Sequence, residues 1–272
     1  MVLSALHIRK SYGGRHVLND ACLDVRRGEA VALVGENGCG KSTLLRLLCG
    51  VTRPDGGTVT TAATTRAALI PDRFEKLNMS AARFIEHMRG MENADAKSAA
   101  HYFDMFAMTA YLDTPLKYLS KGMLQKVAVI QALLGERDIL FMDEPLSGQD
   151  AVSQLRFADE IRRRKQDGMA VVMACHEPFL IEAVADRVLQ IKDGALADGT
   201  GYMIQSASPR CVILALPDKA DIGALVQAAS PDAQLSPCGR MLRIEASRTS
   251  GHELLTLLLA HGIRIIKYEE TL

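Results

Sequence analysis

Residues 35–43 read GENGCGKST, and no other segment restricts the fold of this chain as strongly. The run matches G-x-x-x-x-G-K-[ST], with Gly35, Gly40, Lys41 and Ser42 in the required places. Gly35, Gly38 and Gly40 let the backbone turn its N–H groups inward without a Cβ in the way. Glu36, Asn37 and Cys39 complete the loop. A helix opening near Lys41 adds the positive end of its dipole. Such a concave set of donors suits a triphosphate. Lys41 is expected to reach the β- and γ-phosphates and Ser42 to ligate Mg2+ through its hydroxyl. Thr43 is expected to contact the α-phosphate. The flanks agree with this reading. Ala30–Val34 is a short apolar run, and Ser42–Leu48 carries Leu at 44, 45, 47 and 48, the pattern of a buried helix.

Ile139–Met142, Ala170–Ala174 and Val188–Ile191 are further short apolar runs. Apolar strands separated by helices predict an α/β fold with a mostly parallel sheet covered on both faces. Between residues 73 and 135 the strand signals stop. Ser80–Gly90, Asp95–Ala110 and Met123–Leu134 read as helices, which predicts a helical insertion. The pattern changes again after Gly199-Thr-Gly201. Cys211–Leu216, Gln234–Leu235, Met241–Ala246 and Ile263–Tyr268 are strand-like, and Asp218–Ala229 and Ser250–His261 are helix-like, with Gly262 as a stop. The order βαββαβ predicts a small α+β unit of the split βαβ, ferredoxin-like kind over 205–272.

Composition narrows the function. Among 272 residues, Lys and Arg number 32 and so do Asp and Glu, so the chain is formally neutral and lacks the basic field of a dedicated nucleic-acid binder. No nucleic acid partner is expected. No run approaches the ~18–20 apolar residues that span a bilayer. The start, MVLSALHIRKSY, has no basic stretch leading into a long apolar one. A cytoplasmic location is expected. The six cysteines form no Cys-x-x-Cys pair, so their spacing points to no zinc site, and free thiols fit a reducing compartment.

Four further segments carry a family resemblance. Residues 119–125 read LSKGMLQ, 138–144 read DILFMDE, 147–150 read SGQD, and His176 follows AVVMAC. With the phosphate loop, these make residues Leu6 to Gly199 resemble the nucleotide-binding subunit of an ATP-binding cassette (ABC) transporter. The resemblance implies an ATPase domain over 1–204, with its helical subdomain at about 73–135. It implies that Tyr12, 23 residues before Gly35, stacks on adenine. It makes Asp143 the second Mg2+-holding carboxylate and Glu144 the base that polarises the attacking water. It makes His176, 32 residues beyond Glu144, the contact to the γ-phosphate. Ser120 and Gly122 match the family signature, which in this family completes the site of a second subunit. The implied assembly is a head-to-tail homodimer trapping two ATP, with 147–150 crossing the interface. The implied partner is a polytopic transmembrane permease, which would hold the chain on the inner face of the cell membrane.

The sequence departs from the family pattern at several places. Lys121 stands where Gly is commonest and Met123 where Gln is commonest, a SKGM form typical of exporters of drugs, lipids and polysaccharides. Asp72, after Ala68-Leu-Ile-Pro71, stands where the Q-loop normally carries Gln; it can still accept a metal-bound water. Gln149 replaces a frequent Leu. Met79, Met88, Met91, Met105, Met108 and Met123 are either core or the lining of a groove for a partner helix. The small C-terminal unit resembles the extension of many exporter ATPases and either binds a ligand, contacts the partner copy or only stabilises the fold. The competing reading is a soluble ABC-type ATPase acting on a protein or nucleic-acid assembly.

Overall fold

The computed structural model describes residues 1–199, 210–216, 222–230, 233–238 and 241–271. The chain divides into two compact units, Met1–Met203 and Ile204–Leu272.

The first unit begins with two strands, β1 (Leu3–Tyr12) and β2 (Arg15–Val25), followed by β3 (Ala30–Val34), α1 (Lys41–Leu48), β4 (Gly56–Thr61) and β5 (Ala67–Ile70). Then come α2 (Ala81–Glu92), α3 (Ala96–Met105) and α4 (Lys121–Leu133), with single 3-10 turns at Thr109–Tyr111 and Leu116–Tyr118. It closes with β6 (Ile139–Asp143), α5 (Ala151–Gln166), β7 (Ala170–Ala174), α6 (Pro178–Val184), β8 (Arg187–Lys192) and β9 (Ala195–Asp198). The main sheet has the order β5-β6-β7-β3-β8-β9; all its pairs are parallel except β8 with β9. This is the mostly parallel α/β architecture that the apolar runs predict.

Alternation explains why β3, β7 and the first four residues of β6 are apolar. In β3, Ala30, Ala32 and Val34 enter one core while Val31 and Leu33 enter the other. In β6, Leu140 and Met142 face the first core, and Ile139 and Phe141 the second. A strand buried on both faces has no polar side to display. The first core is closed by α4 and the insertion helices. The second is closed by α1 and by a separate antiparallel sheet, β2-β1-β4. That outer sheet has no counterpart among the sequence expectations, because its strands mix exposed polar with buried apolar residues.

Local chemistry sets the helix ends. Ser80, Asp95, Ser120 and Asp150 each cap the following helix through a side-chain oxygen. The helix expected over Asp95–Ala110 stops at Met105. Ala107 takes a left-handed conformation, φ 54, and the Met108 N–H donates back to Phe103 O, which turns Met108 into the core. The helix expected from Met123 opens two residues earlier, at Lys121, because Ser120 caps it. Of the six methionines, Met108 is buried, Met88, Met105 and Met123 pack against the first core, Met79 is half-buried and Met91 is exposed.

The second unit contains β10 (Arg210–Leu216), α7 (Ile222–Ala229), β11 (Gln234–Cys238), β12 (Met241–Ser247), α8 (Arg248–Ala260) and β13 (Arg264–Thr271). Its antiparallel sheet runs β11-β12-β10-β13, the split βαβ order, over its own core of Ile213, Val226, Ile244, Leu254 and Leu258. The expected start of its first helix at Asp218 lies outside the described residues. No helix among the described residues is long and apolar enough to cross a membrane.

Candidate functional site

The C-terminal ends of parallel strands are where an open α/β sheet leaves room for a ligand. Here β3, β5, β6 and β7 end on one cavity of about 300 Å3. It brings together Asn37, Gly38, Gly40, Lys41, Ser42 and Thr43 of the loop with Asp72, Asp143, Glu144 and His176. Val17, which sequence reasoning missed, forms part of the wall. The sequence separation is large, yet Asp72, Asp143, Glu144 and His176 each lie at or within two residues of a strand end.

The loop itself holds an arrangement that only glycine permits. Gly35 has φ 141, and a Cβ there would lie 2.9 Å from Cys39 Sγ and 3.0 Å from Ile191 O. Gly40 has φ 116 and precedes α1 without a side-chain cap. The first-turn amides of α1 are therefore left to face the loop, which is how a helix start binds an anion. Lys41 is 7% exposed, and its Nζ donates to Gly35 O (2.7 Å) and Glu36 O (3.0 Å). The cation is held inside the loop by two carbonyls.

Ser42 Oγ donates to Asp143 Oδ1 at 2.9 Å, although the two are 101 residues apart. Burial raises the pKa of Asp143, the Ser42 hydrogen bond opposes this, and the charge of Asp72 adds to it. Hard oxygen donors from Ser42, Asp143 and Asp72 around one cavity are the donor set that Mg2+ accepts. The residues present fit that ion.

Glu144 has φ 48, a left-handed backbone that a non-glycine residue adopts at a cost of ~1–3 kcal/mol. Its N–H donates to Ala174 O at 2.9 Å, which ties it to the neighbouring strand end. Burial pushes its carboxyl up to about 7; a backbone hydrogen bond from His176 and the Lys41 cation oppose the rise, and Asp143 and Asp72 reinforce it. His176 Nε2 stands 3.5 Å from Glu144 Oε1. Burial, and then the Lys41 cation, lower the pKa of His176. A carboxyl held near neutrality beside an imidazole can take a proton from water at physiological pH.

Not every expected residue lines this cavity. Glu36 and Cys39 line an adjoining groove with Arg15, His16 and Lys192. Gly35 does not line the cavity either. Tyr12 is half exposed at the end of β1, with Lys10 Nζ 5.4 Å from its ring centre. Ser120 and Gly122 are absent from the cavity wall. Ser120 Oγ accepts from Met123 N–H at 3.2 Å. A Cβ on Gly122 would lie 1.9 Å from Gly148 O, so the 119–125 turn rests directly on the 147–150 loop. Lys126 Nζ reaches Asp150 Oδ2 at 2.6 Å and joins the same two segments again.

One glutamine, Gln125, escaped the sequence reading. Gln125, 1% exposed, donates from Nε2 to Pro71 O at 2.9 Å. It thereby ties α4 to the residue before Asp72. Its place in LSKGMLQ could have flagged it. Gln149 is buried; its Nε2 donates to Pro145 O at 2.8 Å, while its Oε1 has no hydrogen-bond partner among the described residues.

Comparisons with known proteins show the family. A family model described as ABC transporter matches residues 18–147. The zinc import ATP-binding protein ZnuC of Yersinia pseudotuberculosis serotype I (strain IP32953) is 33% identical over 203 residues, which is 73% of this chain and 79% of that protein. The aliphatic sulfonates import ATP-binding protein SsuB of Pseudomonas entomophila (strain L48) is 32% identical over 216 residues, 76% of this chain and 78% of that one. Among solved structures, an ATP-binding subunit of an ABC transporter superposes with a TM-score of 0.67 at 22% identity, covering 76% of this chain and 94% of that chain. The cassette MJ0796, in a dimeric post-hydrolysis state bound to ADP and Pi, gives a TM-score of 0.65 at 20% identity, covering 71% and 96%. At these identities the structural likeness speaks for the fold.

Proposed function

The chain belongs to the family of ABC transporter ATP-binding subunits and is an ATPase; from that premise we propose that two copies close head to tail on two Mg-ATP and drive a separate membrane-embedded permease. The observation that carries the reading is the single cavity onto which Lys41, Ser42, Asp143, Glu144 and His176 converge from three strand ends. We assign 1–204 to the ATPase domain and 205–272 to an accessory α+β domain.

Lys41 and the uncapped start of α1 bind the β- and γ-phosphates, and Thr43 binds the α-phosphate. Tyr12 meets the adenine from the end of β1. Ser42 and Asp143 would hold Mg2+, with Asp72 a third oxygen donor in the same cavity, and the ion would neutralise phosphate charge when bound. Glu144 accepts a proton from the attacking water as its oxygen bonds to the γ-phosphorus and the bond to the ADP oxygen breaks. His176 keeps the glutamate and that water aligned. The site works by positioning and electrostatics. Ser120 and the Gly122 N–H bind the γ-phosphate held by the other copy. The peripheral, cytoplasmic placement follows from docking to the permease.

We read the direction of transport as export. Support comes from the SKGM form of the signature and from the C-terminal unit. The relatives named above are import ATPases, so direction is measured separately, by cargo flux in vesicles containing the complex with its permease. Net uptake into the cytoplasmic side would replace export with import and leave the ATPase site untouched.

Glu144→Gln tests the core of the proposal. The variant should bind ATP, stop turning over and accumulate as an ATP-bound dimer. Unchanged turnover would remove Glu144 from its role. Co-purification of the tagged chain with a stoichiometric polytopic protein tests the permease; wholly soluble partners would favour the soluble-assembly reading instead.

A further inference from the structure

The outer antiparallel sheet carries a side-chain cluster that the phosphate site does not use. β1 and β2 pair with Ala5 opposite Leu23 and Ile8 opposite Ala21. Leu6 and His7 together therefore span the stretch that Cys22 alone occupies on β2. This is a β-bulge, which re-aims a side chain at the expense of one unpaired residue. His7 sits at the bend with φ 55, and its N–H donates to Cys22 Sγ at 3.2 Å. Asp20 and Cys22 are two apart on β2, so both side chains stand on its outer face, where both are exposed.

The bulge brings three different donor atoms to one point. His7 Nδ1 lies 2.8 Å from Asp20 Oδ1 and 3.9 Å from Cys22 Sγ. One donor atom from each residue lies within 4.8 Å of the other two. A surface ion pair accounts for the His–Asp contact but gives the sulfur no part. An activated cysteine would need its Sγ on one ring nitrogen and the carboxylate on the other. Here both face Nδ1, which excludes a relay and leaves convergence on a common centre.

We propose that His7 Nδ1, an Asp20 carboxylate oxygen and Cys22 Sγ form a surface site for a borderline divalent cation, with Zn2+ the best match to a mixed N, O and S donor set. With Zn–N and Zn–O near ~2.05 Å and Zn–S near ~2.3 Å, a tetrahedral site needs about 3.3 Å between N and O and about 3.6 Å between N and S. The observed 2.8 and 3.9 Å differ from these by about half an ångström or less. Exposed side chains make that adjustment freely. The Cys22 thiol gives its proton to solvent on binding, so thiolate and carboxylate together balance the charge of the ion. The fourth position stays open to water.

The test uses the full chain, reduced and stripped of metal, with the phosphate cavity occupied by excess Mg2+ and ADP. Zn2+ should bind at one equivalent and protect Cys22 from a disulfide reagent, read by mass-spectrometric mapping of the modified thiols. Co2+ should give a thiolate-to-metal charge-transfer band. Cys22→Ser should lose both the protection and the band. His7→Asn and Asp20→Asn should each weaken Zn2+ at least tenfold; Asn suits the left-handed backbone at 7, so the bulge survives. Retained ADP binding by each variant shows that it is folded. Equal Zn2+ affinity in Cys22→Ser would overturn the proposal. So would wild-type affinity in both His7→Asn and Asp20→Asn, which would reduce the effect to a thiol binding metal alone.

Discussion

Burial holds the carboxyl of Glu144 near 7, and the pH dependence of turnover follows from that. A general base acts only when ionised. With a midpoint near 7, about a tenth of the free enzyme is active at pH 6 and about nine-tenths at pH 8, so kcat/KM should rise roughly tenfold over that interval. A glutamate at its ordinary value would be ionised at both ends and give a flat profile. The causes of the shift supply a second arm. Asp72 and Asp143 raise the value, and Lys41 lowers it. Removing one like charge with Asp72→Asn should therefore move the inflection to lower pH. Burial, and then the Lys41 cation, hold His176 below its ordinary value. The assay is initial phosphate release at limiting ATP, with free Mg2+ and ionic strength held constant. A flat profile between pH 6 and 8 would refute the reasoning, as would an inflection that moves upward in Asp72→Asn.

Four other outcomes follow from the geometry. The folded value of Glu144 lies above its unfolded one, so its ionisation destabilises the fold as pH rises from the unfolded value through about 7; Glu144→Gln should be the more stable protein at pH 8 by urea unfolding, and a loss of stability there would contradict the sign. Gly122→Ala puts a Cβ 1.9 Å from a backbone carbonyl, and the backbone has no flexible tip to yield, so a cost of ~1–3 kcal/mol is expected in the urea midpoint, with near-neutrality ruling out the contact. Gln125→Ala leaves Pro71 O without its buried partner and should cost ~1–3 kcal/mol in the same measurement; a change under about 0.5 kcal/mol would mean the hydrogen bond does not tie the two segments. Ser120→Arg should abolish ATP-dependent dimerisation in analytical ultracentrifugation while monomeric ATP binding persists, and a dimer formed with ATP would remove Ser120 from the shared site.

Much of the chemistry was legible in the residues themselves. The phosphate loop declares itself because backbone anion binding needs glycine at set positions, and those positions are adjacent in sequence. Asp143, Glu144 and His176 were legible for a related reason. Each stands at or within two residues of the end of a strand buried on both faces, and such strands are written as apolar runs. The βαββαβ order of the C-terminal unit was readable because each element is short and carries its own apolar pattern.

Other features exist only once the chain has folded. Met108 enters the core because Ala107 reverses the backbone, and no periodicity marks that turn. Gln125 holds Pro71 across 54 residues, and Gly122 bears on the 147–150 loop, through contacts that pair chemically ordinary residues. The cysteine spacing predicted no metal site, yet a bulge between two strands sets His7 beside Asp20 and Cys22. Sequence displays what neighbouring residues do together. Long-range pairing, set by how two sheets and a helical insertion share their cores, decides which distant side chains meet.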